Sequence, residues 1–494
     1  LAEFRNLTNG TGQKFNLGAV CNYFNVPFTE PSKKESMRDL SIRGAPFRPQ
    51  EKEDLLNYCE EDVRCLSAIV GHLKPFTETG KIRGRYLLES GCIQNRGLPV
   101  DLKGLAKWEK MKGGLRMKLA EGVNNHYKAP IYENGSFRTA PFKDFVKNNK
   151  LTWPKLGSGN LDLKEKTIKT MSVRYPELSF FRQTKKTLSQ LTRGPISIGS
   201  DGRHRFDSIY FSTSTGRTQA KGNCILLGPS WMRGFIQAAK DRALIVADYK
   251  SQEILIAAAC SEDGAMLSDY QSGDFYLSFA KRAGALEDDA RREDSPQVEQ
   301  IRNLYKRVSL AIQYGMGAKS LAETLGQSEH EAKKLIRQAK KIYPKFWEWR
   351  DRVGNYVGLN RPLKAVLGWQ LSPPYRSKSS FEIGKSTYLS SLNFPLQASG
   401  SDILRACVIN LANQGFEICA TLHDSVFVEM DVNELSEKLN HLETIMENVS
   451  CPLLNGHSLL VESKVLMPGE RYLDKKDKEF WCFMIRELGL ANES

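Results

Sequence analysis

LIVADYKSQEIL, residues Leu244–Leu255, begins as an apolar run suited to a buried strand and then places an aspartate where the run ends. Glu253 follows five residues after Asp248. A carboxylate at the margin of a core is costly unless something positive meets it, so the reading of this stretch turns on what that is. ATLHDSVFVEM, residues Ala420–Met430, raises the same question. Its two short β-rich runs have no Gly or Pro between them, and a hairpin would put Asp424 at the turn. If hairpin and first strand share a sheet, Asp248 and Asp424 point into one cleft. Two oxygen ligands at one point suit Mg²⁺, which binds carboxylates together with substrate phosphates. Two such ions about 3.5–4 Å apart activate an attacking hydroxyl and stabilise a leaving pyrophosphate. The alternative is two unrelated strand-end carboxylates, each capping a neighbouring helix or loop.

A third stretch, IRNLYKRVSLAIQYGMGAKSLAETLG (Ile301–Gly326), is helical in pattern, with Arg302, Lys306, Leu310 and Tyr314 at four-residue steps. Each step rises about 6 Å and overshoots a full circle by about 40°, so the four share one slowly drifting face. Two cations, an apolar contact and an aromatic ring match the phosphates, sugar and base of a nucleoside triphosphate. Gly315 leaves room beside Tyr314 for a base pair. A basic, solvated helix face is the competing reading.

The whole chain favours a polyanionic partner. It has 494 residues, with 71 Lys+Arg against 57 Asp+Glu and a net charge of +14. Its length suggests about three domains, and the charge favours nucleic acid or an anionic membrane face over plain solubility. No apolar run approaches the roughly 20 residues of a membrane-spanning helix. The start, LAEFRNLTNG, has no signal-peptide pattern and no initiator Met, so a processed or shortened chain is expected. The 10 cysteines are scattered with no CxxC pair, which speaks for a reducing, intracellular setting and against a disulfide scaffold or structural zinc.

Along the chain, the first 75 residues read as a small α/β piece ending in the helix EKEDLLNYCEEDVRCLSAIVGHL. A long basic helix, DLKGLAKWEKMKGGLRMKLAEGVNNHY, follows, and then a Lys-rich region reaching Leu191. Strand character is expected in RHRFDSIYFSTSTGR and ALIVADY, and again in LKAVLGWQL, EICATLH and SVFVEM. The pattern from about Asp263 to Arg352 is helical. The result is a sheet region interrupted by a helical insertion and preceded by a second helical region. Lys164–Lys186 is a candidate duplex-binding surface, since phosphate contacts are sequence-blind and salt-sensitive. His204 and His457 read as structural, and Trp347 and Trp349 as packing.

Taken together, these stretches resemble the family A DNA polymerases, the class of bacterial DNA polymerase I. DYKSQE matches the family's first catalytic motif at Asp248, Tyr249 and Glu253. Arg302, Lys306, Tyr314 and Gly315 match the finger-helix motif, and His423 with Asp424 matches the third motif. TGR at Thr215–Arg217, Asn393 with Gln397 in NFPLQASGSDIL, and GLPVDLKGL from Gly97 resemble weaker signatures, all in the family's order. The resemblance implies an α+β right-hand fold, with an antiparallel-sheet palm (196–262 and 353–494), helical fingers (263–352) and a thumb (81–195). It implies that Asp248 and Asp424 hold two Mg²⁺ ions, with Mn²⁺ able to substitute. Arg302 and Lys306 would hold the incoming deoxynucleoside triphosphate, with Leu310, Tyr314 and Tyr249 at the nucleotide. Glu253 would exclude ribose by crowding its 2′-hydroxyl. Arg217, Asn393, Gln397 and His423 would contact primer-template DNA. The implied location is bacterial or phage-infected host cytoplasm, and no processivity factor is legible.

The sequence departs from the family pattern in places. Leu310 stands where the family has Phe or Tyr, which puts dideoxynucleotide discrimination in doubt. Ser425 replaces a Glu after Asp424, and Lys250 and Leu255 replace Ser and Arg, as in a divergent member of phage type. Residues 1–80 resemble the end of the family's RNase H-like 3′–5′ exonuclease domain. Tyr58 and Asp62 in NYCEEDV fit its last motif, although a helix can carry YxxxD by chance. The upstream metal-binding motifs are not in this chain, so no proofreading is expected from it. Rival readings are a single-subunit RNA polymerase, which Glu253 opposes, and an inactive DNA-binding scaffold, which the intact Asp248, Asp424, Lys306 and Arg302 oppose.

Overall fold

The central apolar runs meet in one four-stranded antiparallel sheet of β1 (Arg242–Tyr249), β2 (Glu417–Leu422), β3 (Ser425–Asp431) and β4 (Val461–Leu466), ordered β2-β3-β1-β4. The structure, a computed structural model, describes residues 1–28, 31–73, 77–359, 361–372 and 385–490. β1 reads as a nearly continuous apolar run because it lies inside the sheet with both faces covered. Side chains alternate along it. Leu244 and Val246 join the large core that contains Phe427, Trp231 and Phe235. Asp248 continues that face where the core ends, and Tyr249 turns to the other.

The helices used below are, in chain order, α1 (Pro49–His72), α2 (Leu102–Tyr127), α3 (Glu165–Arg174), α4 (Ser179–Gln190) and α5 (Gln252–Ser261). They continue with α6 (Phe275–Arg282), α7 (Pro296–Gln313), α8 (Ala318–Leu325), α9 (Lys385–Asn413) and α10 (Leu435–Ser450). The chain divides into two compact units. One comprises Leu1–Leu88, Tyr210–Thr218 and Glu348–Ala406; the other comprises Glu89–Ile209, Gln219–Trp347 and Cys407–Ser494. The second holds the sheet, α2 to α8 and the large core. The first has its own small core of Phe4, Val20, Cys21, Cys65 and Ile69. It also buries two ion pairs, Arg83–Glu3 at 2.7 Å and Arg405–Asp402.

Several expectations change. No strand occurs among the described residues before Leu98, so the N-terminal segment is helical rather than α/β. RHRFDSIYFSTSTGR forms only two-residue strands, Arg203–His204 and Ser208–Ile209. Its Ser214 carbonyl is instead satisfied by side chains, the Asn9 amide at 2.6 Å and the Trp369 indole at 2.8 Å. LKAVLGWQL likewise reduces to a tight hairpin pairing Leu363–Lys364 with Gln370–Leu371. The expected single helix over Ile301–Gly326 breaks after Gln313. Gly315 (φ 76°) supplies the left-handed residue there, its N–H donating to Ile312 while Met316 N–H donates to Ala311. That pair of bonds is a Schellman C-cap, and Gly315 is required for the turn.

Candidate active site

Asp248 pairs in register with Ser425 across β1 and β3. Leu422 pairs with Ser425 across β2 and β3, which leaves His423 and Asp424 as a two-residue turn. His423 takes the positive φ of that turn, 58°. The fold thus sets the second carboxylate beside the first, and the Asp248 and Asp424 side chains are within hydrogen-bonding reach of each other. Glu462 of β4 pairs with Asp248 from the other side, adding a third negative charge. Asp248 is exposed at the strand end, yet the protein crowded around its carboxyl, then the Asp424 charge and hydrogen bond, then Glu462, raise it to about 7. Two carboxyls brought this close mark a place that a cation would stabilise.

The donors fit a hard divalent ion, since both are carboxylates. Among the described residues no group of three or more His, Cys, Asp or Glu could hold a metal. Two carboxylates with Glu462 close by would leave part of a hard cation's oxygen shell to substrate and water, as Mg²⁺ favours.

β1 leads through Lys250 and Ser251 (φ 45°) into α5, which places Glu253 in the first turn, where the helix dipole favours a negative charge. Both its oxygens are held. The Gln313 amide donates to Oε2 at 2.9 Å and the Tyr314 hydroxyl to Oε1 at 3.3 Å. Arg302, Lys306 and Leu310 lie on α7, and Tyr314 is its C-cap. Arg302 Nε donates to Asp274 Oδ2 at 2.6 Å, while Asp274 Oδ1 caps α6 at the Leu277 N–H. The Tyr276 ring lies beneath both cations, 5.6 Å from Arg302 Cζ and 5.5 Å from Lys306 Nζ. Its hydroxyl accepts from Ser251 Oγ at 3.3 Å. Loss of water around the ammonium, and then the Arg302 charge, lower the Lys306 pKa.

The structure therefore brings together Asp248 with Asp424, Glu253 with Tyr314, and Arg302 with Lys306. It does not bring Tyr249 to them. Tyr249 was expected at the nucleotide, but its side chain is buried and its hydroxyl donates to the Met446 carbonyl of α10 at 2.9 Å. The cause is strand alternation, which sends Tyr249 to the face opposite Asp248. Sequence reasoning missed Glu462, Asp274, Tyr276 and Gln313. Glu462 sits in a strand-like run, VESKVL, and only register reveals what it faces. Asp274 followed by helix-forming residues was legible as a cap, though not as the partner of Arg302.

Arg217, Asn393 and Gln397 belong to the first unit. Gly216, with φ 69°, packs against the Trp369 ring, and the Arg217 N–H donates to Thr213 Oγ1 at 2.9 Å. Asn393 and Gln397 lie one turn apart on α9. Tyr58 and Asp62 lie one turn apart on α1 and are hydrogen-bonded to each other, and burial followed by the Asp62 charge raises the Tyr58 phenol. In the Lys-rich stretch, Lys164, Lys166 and Lys169 are exposed, whereas Lys185 turns inward to donate to the Leu163 carbonyl at 2.8 Å. His204 is buried between the Ser197 carbonyl and the Ile225 N–H, a structural role. All 10 cysteines are free. No helix among the described residues is long and apolar enough to cross a membrane.

The model of DNA polymerase family A matches residues 165–465, more than half the chain. DNA polymerase I of Aquifex aeolicus is 24% identical over 401 residues, covering 77% of this chain and 65% of that protein. A DNA polymerase of Mycobacterium phage D29 is 26% identical over 212 residues, covering 42% of this chain and 32% of its own length. The chain spans less than two thirds of the length of these relatives. Among solved structures, the POL domain of Pol1 from M. smegmatis, in complex with DNA primer-template and dNTP, superposes with a TM-score of 0.67. That match has 18% identity and covers 95% of this chain and 81% of the other, a likeness of fold.

Proposed function

Because this chain belongs to DNA polymerase family A, we propose that it is a DNA-directed DNA polymerase, extending a primer 3′ end with deoxynucleoside triphosphates and releasing pyrophosphate. The observation that carries this reading is the convergence of Asp248 and Asp424 at the end of the sheet, where crowding by protein and then the Asp424 charge raise the Asp248 pKa. Asp248 and Asp424 would hold two Mg²⁺ ions. When bound, these would supply charge neutralisation at the phosphoryl group and lower the pKa of the primer hydroxyl. Manganese would substitute, offering the same oxygen coordination.

The chain's own residues do the positioning. Lys306 and Arg302 would meet the triphosphate. Arg302 must first exchange Asp274 for phosphate, and the Tyr276 ring keeps both cations on one face as it does so. Tyr314 and Leu310 would bound the base and sugar, and Glu253 would crowd a 2′-hydroxyl. In this reading 196–262 and 353–494 act as palm, 263–352 as fingers and 81–195 as thumb. Lys164, Lys166 and Lys169 would face duplex phosphates, and Arg217, Asn393, Gln397 and His423 primer and template. Tyr58 and Asp62 are the match to an exonuclease motif in residues 1–80, and we place excision outside this chain's activity.

The test is extension of a primed DNA template by purified protein, with and without Mg²⁺, in parallel deoxy- and ribonucleotide reactions. Metal-dependent incorporation of deoxynucleotides supports the reading, and duplex binding without incorporation overturns it. Extension of a mismatched primer with no prior shortening supports the absence of excision.

A further inference from the structure

Crowding a 2′-hydroxyl demands more than the presence of Glu253, because the carboxylate must stay still. The terminal torsion of a glutamate is broad, and a carboxylate held through one oxygen swings about it. In this chain both oxygens are engaged by consecutive residues, Gln313 as the last residue of α7 and Tyr314 as its cap. The two donors are not equivalent. Tyr314 is 45% exposed and its contact is the longer, at 3.3 Å. Gln313 is 3% exposed and its contact is 2.9 Å. Gln313 lines, with Ile254, Met266, Phe275 and Tyr343, a cavity of only about 20 Å³. Close packing of that kind leaves the amide few alternative positions.

We propose that Gln313 is a specificity-determining positioning residue: its buried amide pins the Glu253 carboxylate so that sugar discrimination depends on it. The inference rests on the reading of Glu253 as the group that crowds the 2′-hydroxyl. Tyr314, the more exposed of the two donors and the more weakly held, would shift its ring when a base pair arrives. Gln313 keeps one oxygen of Glu253 fixed during that movement. The substrate property at stake is the choice between ribo- and deoxynucleoside triphosphates.

The experiment compares kcat/KM for one ribonucleotide and its deoxy counterpart in wild type, Gln313→Leu, Glu253→Ala and the double variant. Leu is close to Gln in size and suits the apolar neighbours. Losing one hydrogen bond to a charged group predicts that Gln313→Leu raises the ribo/deoxy ratio about tenfold. In the Glu253→Ala background Gln313→Leu should add nothing further. If Glu253→Ala raises the ratio and Gln313→Leu does not, the inference about Gln313 is wrong while the gate reading stands. If Glu253→Ala itself changes nothing, the gate reading fails first.

Gln313→Glu supplies a readout that a merely structural residue would not move. Two facing carboxylates share a proton at low pH and repel at high pH. Of the titratable groups near Glu253, the Tyr314 hydroxyl donates to it, and burial holds the Tyr276 phenol above its ordinary pKa. The variant should therefore discriminate like wild type near about pH 6 and lose discrimination by about pH 9. A ratio that stays flat across that range overturns the assignment.

Discussion

Asp248 stands directly opposite Ser425, one residue past the Asp424 of the hairpin turn. This pairing explains why a departure from the family pattern at Ser425 leaves the two carboxylates in place. The backbone register, rather than the side chain at 425, sets their approach. Ser425 Oγ donates to the Leu422 carbonyl at 2.7 Å, closing the turn instead of extending the acidic cluster.

Asp248→Asn and Asp424→Asn should each reduce primer extension at least about 10³-fold, because removing one charge would dismantle the proposed cation site. Duplex binding, measured by fluorescence anisotropy, should change little. Extension retained within tenfold in either variant contradicts the metal assignment.

The raised pKa of Asp248 makes a prediction about stability. Its folded value of about 7 lies above its ordinary one, so the folded state binds the proton more tightly than the unfolded state does. The contribution is fully present below about pH 4 and is lost as pH rises toward about 7. In protein free of divalent metal, Asp248→Asn should flatten this part of the profile of melting temperature against pH. Added Mg²⁺ should lower the Asp248 pKa, visible by carboxyl NMR. A wild-type carboxyl titrating at its ordinary value without metal contradicts the geometry.

Arg302 is held by Asp274 at 2.6 Å and, in the role proposed for it, would leave that partner to meet a triphosphate. Asn still caps a helix start, so Asp274→Asn should keep α6 while weakening this competitor. Nucleotide affinity should tighten about two- to fivefold, the worth of a partly exposed ion pair. Equilibrium nucleotide binding to the binary complex measures it, and weaker binding would mean that Asp274 orients Arg302 instead.

Glu253→Ala should raise ribonucleotide incorporation about ten- to a hundredfold, on the scale of discrimination by one small group. Competition between ribo- and deoxynucleotides on one template reads it directly.

Gly216 combines a φ of 69° with a Cβ position 2.9 Å from the Trp369 ring. Gly216→Ala must strain the backbone and push the indole, at a cost of about 2–4 kcal/mol. A denaturant midpoint unchanged from wild type would show that this turn is softer than its packing suggests.

Much of the site was legible from one dimension. Asp248 ends an apolar run, Asp424 interrupts two β-rich runs, and Arg302, Lys306 and Leu310 repeat at helical spacing. Such patterns are local, because backbone period alone decides which face each side chain takes. Local pattern also misled. Tyr249 adjoins Asp248 in sequence but faces α10, and the β-rich character of RHRFDSIYFSTSTGR yields to side-chain bonds from Asn9 and Trp369.

What the sequence by itself determined is the set of chemical groups and their periodicity: strand-end acids, a cationic helix face and a glycine able to end that helix. Only the tertiary structure decided which groups meet. Glu462 faces Asp248, Arg302 reaches Asp274, Tyr276 underlies two cations, and Gln313 grips Glu253 across 60 residues. Each of these depends on strand register or helix packing, and those are set by burial of side chains far apart in the chain. No local spacing encodes them.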